Sequence, residues 1–260
     1  MASETIITER DGPSFVITFN RPDKRNALSL QTMDDIADAV KAAASIPEVR
    51  AIIFTGGEKV FSAGADLNEA LEVKSVIDGD AFFGRANRLL AMIEIVDKPV
   101  LAAIEGFCMT GGCELALACD IRIGAKGSSY AVTSSRIGTV AGFGGTQRLP
   151  RIVGMSNALD MLFLGDPIAA EEAHRIGLIN RLTEKGGALQ EAKRLASIYE
   201  KRGPLSLAFA KRAVRRGMQM DQNSAIDLEF FMVNTIYGTE DKHEGIAAFL
   251  EKREAKFKGR

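Results

Sequence analysis

Apolar residues follow two rhythms along this chain, and the switches between them mark out its elements. Short, nearly continuous apolar runs predict buried strands at SFVITFN (14–20), which Arg21-Pro22 ends, and at VRAIIFTGG (49–57), PVLAAIEG (99–106) and DIRIGAKG (120–127). A strand that is apolar on both sides belongs in a sheet covered on both faces. Helical spacing predicts helices at SLQTMDDIADAVKAAAS (29–45), which stops before Pro47, and at FGRANRLLAMIEIVD (83–97). A further helix is expected to follow the paired glycines of MTGGCELALACD (109–120). Strand, glycine loop, helix and strand again is an α/β pattern. Ligands in such folds bind outside the carboxyl ends of the strands, so the glycine loops are the places to look for a site.

From about residue 157 the pattern becomes mostly helical. PIAAEEAHRIGLIN (167–180) predicts a helix capped by Gly177. It is followed by ALQEAKRLASIYEKRG (188–203), PLSLAFAKRAVRRGM (204–218), NSAIDLEFFMVNTIYG (223–238) and a charged final helix, EDKHEGIAAFLEKREAKF. Gly203-Pro204 and Gly217 are the expected joints. These helices carry many large apolar residues for their length, as a subdomain packed on an α/β core and on neighbouring subunits would. The sequence shows no internal repeat and no low-complexity segment.

Composition narrows the functional classes. Of the 260 residues, 46% are hydrophobic and 26% charged, which suits a globular chain with a sizeable core. Lys and Arg total 33 against 34 Asp and Glu, so nothing global points to nucleic acid or an acidic membrane surface. Lys211, Arg212, Arg215 and Arg216 share a helical face, read as solvated or intersubunit, with nucleic acid the weaker alternative. No apolar run approaches the roughly 20 residues of a membrane span. The acidic start, MASETIITERDG, lacks the marks of a signal or transit peptide, which makes a cytoplasmic location the expectation. Cys108, Cys113 and Cys119 have neither zinc nor thioredoxin spacing and read as reduced, buried core residues.

Glu114 poses a chemical question, because it precedes Leu-Ala-Leu-Ala-Cys in a segment that should be buried. Burial disfavours a carboxylate's charge and raises its pKa. Either a partner neutralises it or its proton is used. Two turns with small residues follow predicted strands, FSAGADL (61–67) and the Thr110-Gly111-Gly112 turn. Glycine lets backbone come close to a ligand. Free N–H groups at a helix start favour negative charge, so the two turns could present two donors to one oxyanion. Plain strand-to-helix connections are the blander reading. GFGGTQRL (142–149) is not a dinucleotide fingerprint, since Gln147 stands where its third glycine belongs. Neither His174 nor His243 adjoins a nucleophile, and no pair has metal spacing.

Taken together, FSAGADL, PVLAAIEGFCMTGGCELALACD and GTVAGFGGTQRLPRIVG resemble the enoyl-CoA hydratase/isomerase (crotonase) family. RPDKRNALS (21–29) and the EDKHEGIAAFLEKREAKF ending extend the likeness over nearly the whole chain; the regions around 70–85 and 185–235 match least. The resemblance implies a ClpP/crotonase-like spiral of ββα units over residues 1–195, with a C-terminal helical trimerisation region over 196–260. It implies a homotrimer or a dimer of trimers, with no metal and no cofactor beyond the coenzyme A of an acyl-CoA thioester substrate.

By the same resemblance, the Ala65 and Gly111 N–H groups form an oxyanion hole for the thioester carbonyl, and Glu114 is an acid/base. Lys24, Arg25 and Lys59 match CoA-contacting positions. The Ala63 carbonyl is expected near the adenine, and Asp66 and Leu67 are expected among the residues that bind the substrate or its CoA. Phe249 and Lys252 match positions that reach the CoA of a neighbouring subunit. The Gly142 N–H would help place a water. The second hydratase glutamate, however, is matched by Ser134, in AVTSSRIGTV (131–140). A serine can hold water but is a far weaker base, and losing a general base commonly costs about 10²–10⁴ in rate. Hydration with Glu114 alone, isomerisation, thioester hydrolysis, decarboxylation and binding without turnover all stay open at this point. Asp66, Glu69 and Glu72 are candidates to compensate, although solvated helix faces suit them better, and Tyr130 and Tyr237 are weaker candidate proton donors.

Overall fold

The computed structural model describes residues 4–260. The chain opens with a hairpin of β1 (Ile6–Asp11) and β2 (Ser14–Phe19). Three turns of a spiral follow, each giving one longer and one short strand. These pairs are β3 (Ala51–Thr55) with β4 (Val60–Ser62), β5 (Val100–Ile104) with β6 (Phe107–Met109), and β7 (Ile121–Ala125) with β8 (Ser129–Ala131). β9 (Ile168–Ala169) and β10 (Arg181–Thr183) complete the sheets. The longer strands build a six-stranded sheet in the order β1-β2-β3-β5-β7-β10, and the short ones a four-stranded sheet, β4-β6-β8-β9. Apart from the β1–β2 and β8–β9 pairs, neighbours run parallel. Helices follow each short strand, so the repeating unit is strand, strand, helix, as in the predicted spiral of ββα units.

The fully apolar strands have a direct cause. Successive side chains point to opposite faces of a sheet. Ile52 and Phe54 of β3, with Val100, Ala102 and Ile104 of β5, enter the main core. Ala51, Ile53, Leu101, Ala103 and Ile123 enter a second core, covered by Ala188, Ala192, Leu195 and Ala196 of the Ala188–Glu200 helix. Neither face is left for water, so alternation disappears from the sequence.

The helix Leu30–Ser45 starts where Ser29 accepts the Thr32 N–H, and it buries Met33, Ile36, Val40 and Ala43 along one stripe. All three cysteines are free and buried.

Three expectations are corrected. The helix expected over 167–180 is only Ala170–Arg175, because Ile168 pairs with Tyr130 across the β8–β9 ladder and Gly177, at φ +81°, turns the chain towards β10. The final helix ends at Leu250, and the tail folds back so that the Lys258 and Gly259 N–H groups donate to the buried Asp241 carboxylate at 2.6 and 2.8 Å. The basic cluster on the Pro204–Gly217 helix is no solvated face: Lys211 and Arg215 pair with Asp120, Arg215 also with Glu94, and Arg212 with Asp97. Arg216 is exposed. Among the described residues, no helix is long and apolar enough to cross a membrane.

Candidate active site

The first glycine turn leaves β4 and is held by the early part of the chain. Leu28 N–H donates to the Gly64 carbonyl at 2.7 Å, and Asp66 N–H donates to the Leu28 carbonyl at 3.0 Å. This short parallel bridge uses the groups flanking Ala65. Backbone polarity alternates along extended chain, so the Ala65 N–H faces away from the bridge. Buried Asn26 steadies the turn: its amide donates to the Gly56 and Val60 carbonyls, while Ser62 Oγ donates to the Asn26 carbonyl at 2.8 Å.

The second turn leaves β6, and Thr110 occupies φ 41°, ψ −109°, a region that side chains rarely adopt. The distortion is held from outside. Thr110 N–H donates to the Ala131 carbonyl at 2.7 Å, Thr133 N–H donates to Thr110 Oγ1 at 3.1 Å, and the two threonine hydroxyls lie 2.7 Å apart. Gly111 then begins the helix Gly111–Ala118. Its N–H has no carbonyl one turn earlier to bond, and it sits at the positive end of the helix dipole.

The two turns touch. A Cβ on Gly64 would lie 3.0 Å from Gly111 N, and a Cβ on Gly111 would lie 3.0 Å from Ala65 N and 2.9 Å from the Phe143 ring. Small residues are therefore required, and the expected pair of donors is brought together.

Glu114 stands three residues after Gly111, a spacing that shares a helix face. It is only 1% exposed. Phe143 N–H and Gly145 N–H donate to its Oε1 at 2.8 and 2.7 Å. Among the described residues no donor reaches Oε2. Burial pushes the Glu114 pKa up, while the N–H groups of Gly145 and Phe143 and the Arg148 cation pull it down. The result is a carboxyl fixed through one oxygen, with the other unengaged by the described residues, that holds a proton more readily than an exposed carboxyl does.

A cavity of about 200 Å³ runs beside the first turn, lined by Lys24, Ala27, Ala63, Ala65, Asp66, Leu67 and Asn68. Lys24, Ala63, Asp66 and Leu67 are thus gathered where a ligand reaching Ala65 would pass. Arg25 is exposed and joins the turn through its carbonyl, which accepts the Ala63 N–H. Lys59 is exposed just before β4. Gly142 lies against Phe83, whose ring would be 2.6 Å from an added Cβ, and its carbonyl accepts from Asn87. Phe249, 83% exposed, lines a separate groove of about 510 Å³ near the C-terminus that includes no residue of either turn. Lys252, at φ 56°, lies beyond the final helix, so the single chain brings neither of these two to the cavity.

Ser134 is buried and opens a short 3-10 turn directly after Thr133, the residue bonded to Thr110. It is thus beside the second turn, and no carboxylate occupies its position. The candidates to compensate are engaged elsewhere. Asp66 caps the Leu67–Leu71 helix and pairs with Arg21 at 3.0 Å, Glu69 accepts the Leu30 N–H at 2.7 Å, and Glu72 pairs with Lys74. Tyr130 is buried with its hydroxyl 2.8 Å from Ser128 Oγ, and burial drives its pKa far up. Tyr237 lies at the surface under the Lys242 ammonium.

Three contributors escaped the sequence reading: the Phe143 and Gly145 N–H groups on Glu114, and Arg148 behind them. The available signal was the glycine run of GFGGTQRL, which fails as a dinucleotide fingerprint but places backbone donors at the start of the Gly145–Val153 helix.

Paired backbone donors next to a buried, half-satisfied carboxyl, on a spiral of ββα units, define a class of enzyme equipped to stabilise an enolate and move a proton. The enoyl-CoA hydratase/isomerase family profile matches residues 11–260, and the chain belongs to that family. It is 40% identical over 258 residues to the crotonyl-CoA hydratase of Syntrophomonas wolfei, covering 99% of each chain. It is 38% identical over 262 residues to the short-chain-enoyl-CoA hydratase of Clostridium acetobutylicum, covering 100% of each. The crystal structure of enoyl-CoA hydratase from Bacillus anthracis superposes with a TM-score of 0.94 at 32% identity, over 98% of this chain and 100% of that one.

Proposed function

We propose that this protein adds water across the double bond of a short-chain 2-enoyl-CoA. The thioester oxygen lies between the Ala65 and Gly111 N–H groups, which bind it more tightly as it becomes an enolate oxygen. Removing one such donor typically costs about 10²–10³ in rate. Glu114 Oε2 takes a proton from water as the hydroxyl adds to the β-carbon. The enolate then collapses, and Glu114 returns that proton to the α-carbon, giving a 3-hydroxyacyl-CoA. One carboxyl thus serves both halves of the addition, with Ser134 limited to holding the water and the Gly142 N–H assisting.

The observation that carries this reading is the asymmetry at Glu114: two donors fix Oε1, and among the described residues no donor occupies Oε2. The names of the relatives favour hydration over hydrolysis or decarboxylation. Lys24, Arg25 and Lys59 supply positive charge for the CoA phosphates. Asp66, already paired with Arg21, shapes the cavity wall with Ala63 and Leu67. No cofactor is needed beyond the CoA carried by the substrate.

The same reading has the chain assembling as a homotrimer or a dimer of trimers in the cytoplasm, with Phe249 and Lys252 reaching a neighbour's CoA. The exposed apolar side chains of the Gln222–Tyr237 helix support assembly.

Mass spectrometry of crotonyl-CoA after incubation with the protein tests the reaction. A product heavier by one water is expected. Free CoA, or an isomer of unchanged mass, would overturn hydration.

A further inference from the structure

We infer that Arg148 is a positioning residue that fixes the loop holding the Glu114 carboxylate, and that Glu94 and Arg215 tie this loop to the Pro204–Gly217 helix. The inference rests on the reading of Glu114 as the acid/base.

The loop needs an anchor. Its two working N–H groups, on Phe143 and Gly145, flank Gly144, which sits at φ +89°. Arg148 supplies the anchor, because its Nη1 donates to the Phe143 carbonyl at 2.9 Å. The loop wraps directly over the guanidinium: a Cβ on Gly144 would lie 2.2 Å from that same nitrogen. Asn87 adds a lesser tie, donating to the Gly142 carbonyl at 3.1 Å.

The other edge of the guanidinium is gripped by Glu94. Nε reaches Oε1 at 2.9 Å and Nη2 reaches Oε2 at 2.7 Å, a two-pronged pair whose side chains are 17% and 25% exposed. Such fork geometry fixes orientation as well as charge, and lysine cannot reproduce it. Glu94 Oε1 also accepts from Arg215 Nη1 at 2.9 Å. Arg215 continues to Asp120 Oδ1 at 2.8 Å and to the Ala118 carbonyl at 2.7 Å, at the last residue of the helix that bears Glu114. Asp120 in turn pairs with Lys211 at 2.7 Å. One network therefore holds the end of the Glu114 helix and the loop that holds the Glu114 carboxyl.

The charged groups joined in this network are Arg148, Glu94, Arg215, Asp120 and Lys211, with Arg122 beside Asp120 and Arg215 and bonded to the Cys119 carbonyl. Arg148 is the cation that acts on it and favours its ionised form. Removing Arg148 should raise the Glu114 pKa. Removing the Glu94 charge leaves Arg148 less neutralised and should lower it.

The test measures kcat, KM and the pH profile for crotonyl-CoA in Arg148→Met, Arg148→Lys and Glu94→Gln, beside Glu114→Gln. Misplacing a reacting group by about 1 Å can cost 10²-fold. Arg148→Met is expected to lose about 10- to 100-fold in kcat, with KM little changed and the acid limb moved to higher pH. Arg148→Lys should lose kcat while keeping the limb near its wild-type place. Glu94→Gln should move the limb to lower pH, and if Arg148→Met does not fold, this shift and the lysine variant carry the test. Merely structural damage would not shift the two limbs in opposite directions. Unchanged kcat in both Arg148 variants, or limbs of Arg148→Met and Glu94→Gln that move the same way or not at all, overturns the inference alone. Wild-type turnover by Glu114→Gln would overturn the acid/base reading, and the inference with it.

Discussion

The helices Gly111–Ala118 and Gln222–Tyr237 treat their apolar residues in opposite ways. Every residue of the first is buried, the carboxyl of Glu114 included. None of the second is buried, although it carries Ile226, Phe230, Phe231, Val233 and Tyr237, all exposed. Fully burying a side chain of this size is worth about 1.5–3 kcal/mol. The first helix spends that advantage on enclosing a carboxyl where charge is disfavoured. The second leaves it unused within the chain, as a surface kept for another protein surface does. The proposed reactive group is thus made by enclosure, and the proposed assembly by withholding enclosure.

The sharpest way to break the enclosed half is to crowd it. In Gly145→Ala the new Cβ would lie 2.8 Å from Glu114 Oε1, on one of the two N–H groups that hold the carboxyl. Loss of kcat by about 10²-fold is expected, with circular dichroism checking that the fold survives. The exposed half breaks differently. Phe230→Glu with Phe231→Glu should leave the fold of the single chain intact and lower its mass in sedimentation velocity to that of a monomer. An assembly that persists unchanged would place its interface elsewhere.

A smaller effect sharpens what enclosure does. Ser134→Glu returns a carboxyl beside the second turn and should raise crotonyl-CoA hydration by roughly 10-fold or more, since a general base commonly contributes at least that much. No gain would mean that the pocket around it has changed as well.

The smallest concerns stability. Burial raises the Glu114 pKa in the folded state, so its favourable contribution is complete below the ordinary value of 4.5 and is lost as pH rises through the raised one. Glutamine does not titrate. Glu114→Gln should therefore melt higher than wild type at mildly alkaline pH, and the difference should vanish in acid. An equal difference at all pH values would separate it from the ionisation.

Much of this was legible in the sequence, for physical reasons. β5 is a run of five apolar residues and β3 a run of four before Thr55, and the Leu30–Ser45 helix carries a regular stripe with a serine cap. Burial of Glu114 followed from its neighbours alone. β4, β6 and β8 were not read, because three residues cannot display a period. β1 was missed because only Ile6 is buried in it. What holds the site was hidden for another reason. Phe143 and Gly145 reach Glu114 across 29 and 31 residues, and Arg215 reaches Glu94 across 121, so no local pattern records them. The solvated alternative for the basic face failed on the same account, because the acidic partners of its charges lie far away along the chain.

The central claim is that one carboxyl, Glu114, suffices for hydration. Its most direct test is the fall in ultraviolet absorbance of the conjugated thioester when the wild-type protein and Glu114→Gln are each added to crotonyl-CoA. The account predicts a steady fall with wild type and a rate about 10²–10⁴ lower with the glutamine variant, at similar affinity for the thioester. Equal rates, or a wild-type protein that leaves the absorbance unchanged at high concentration, would contradict it.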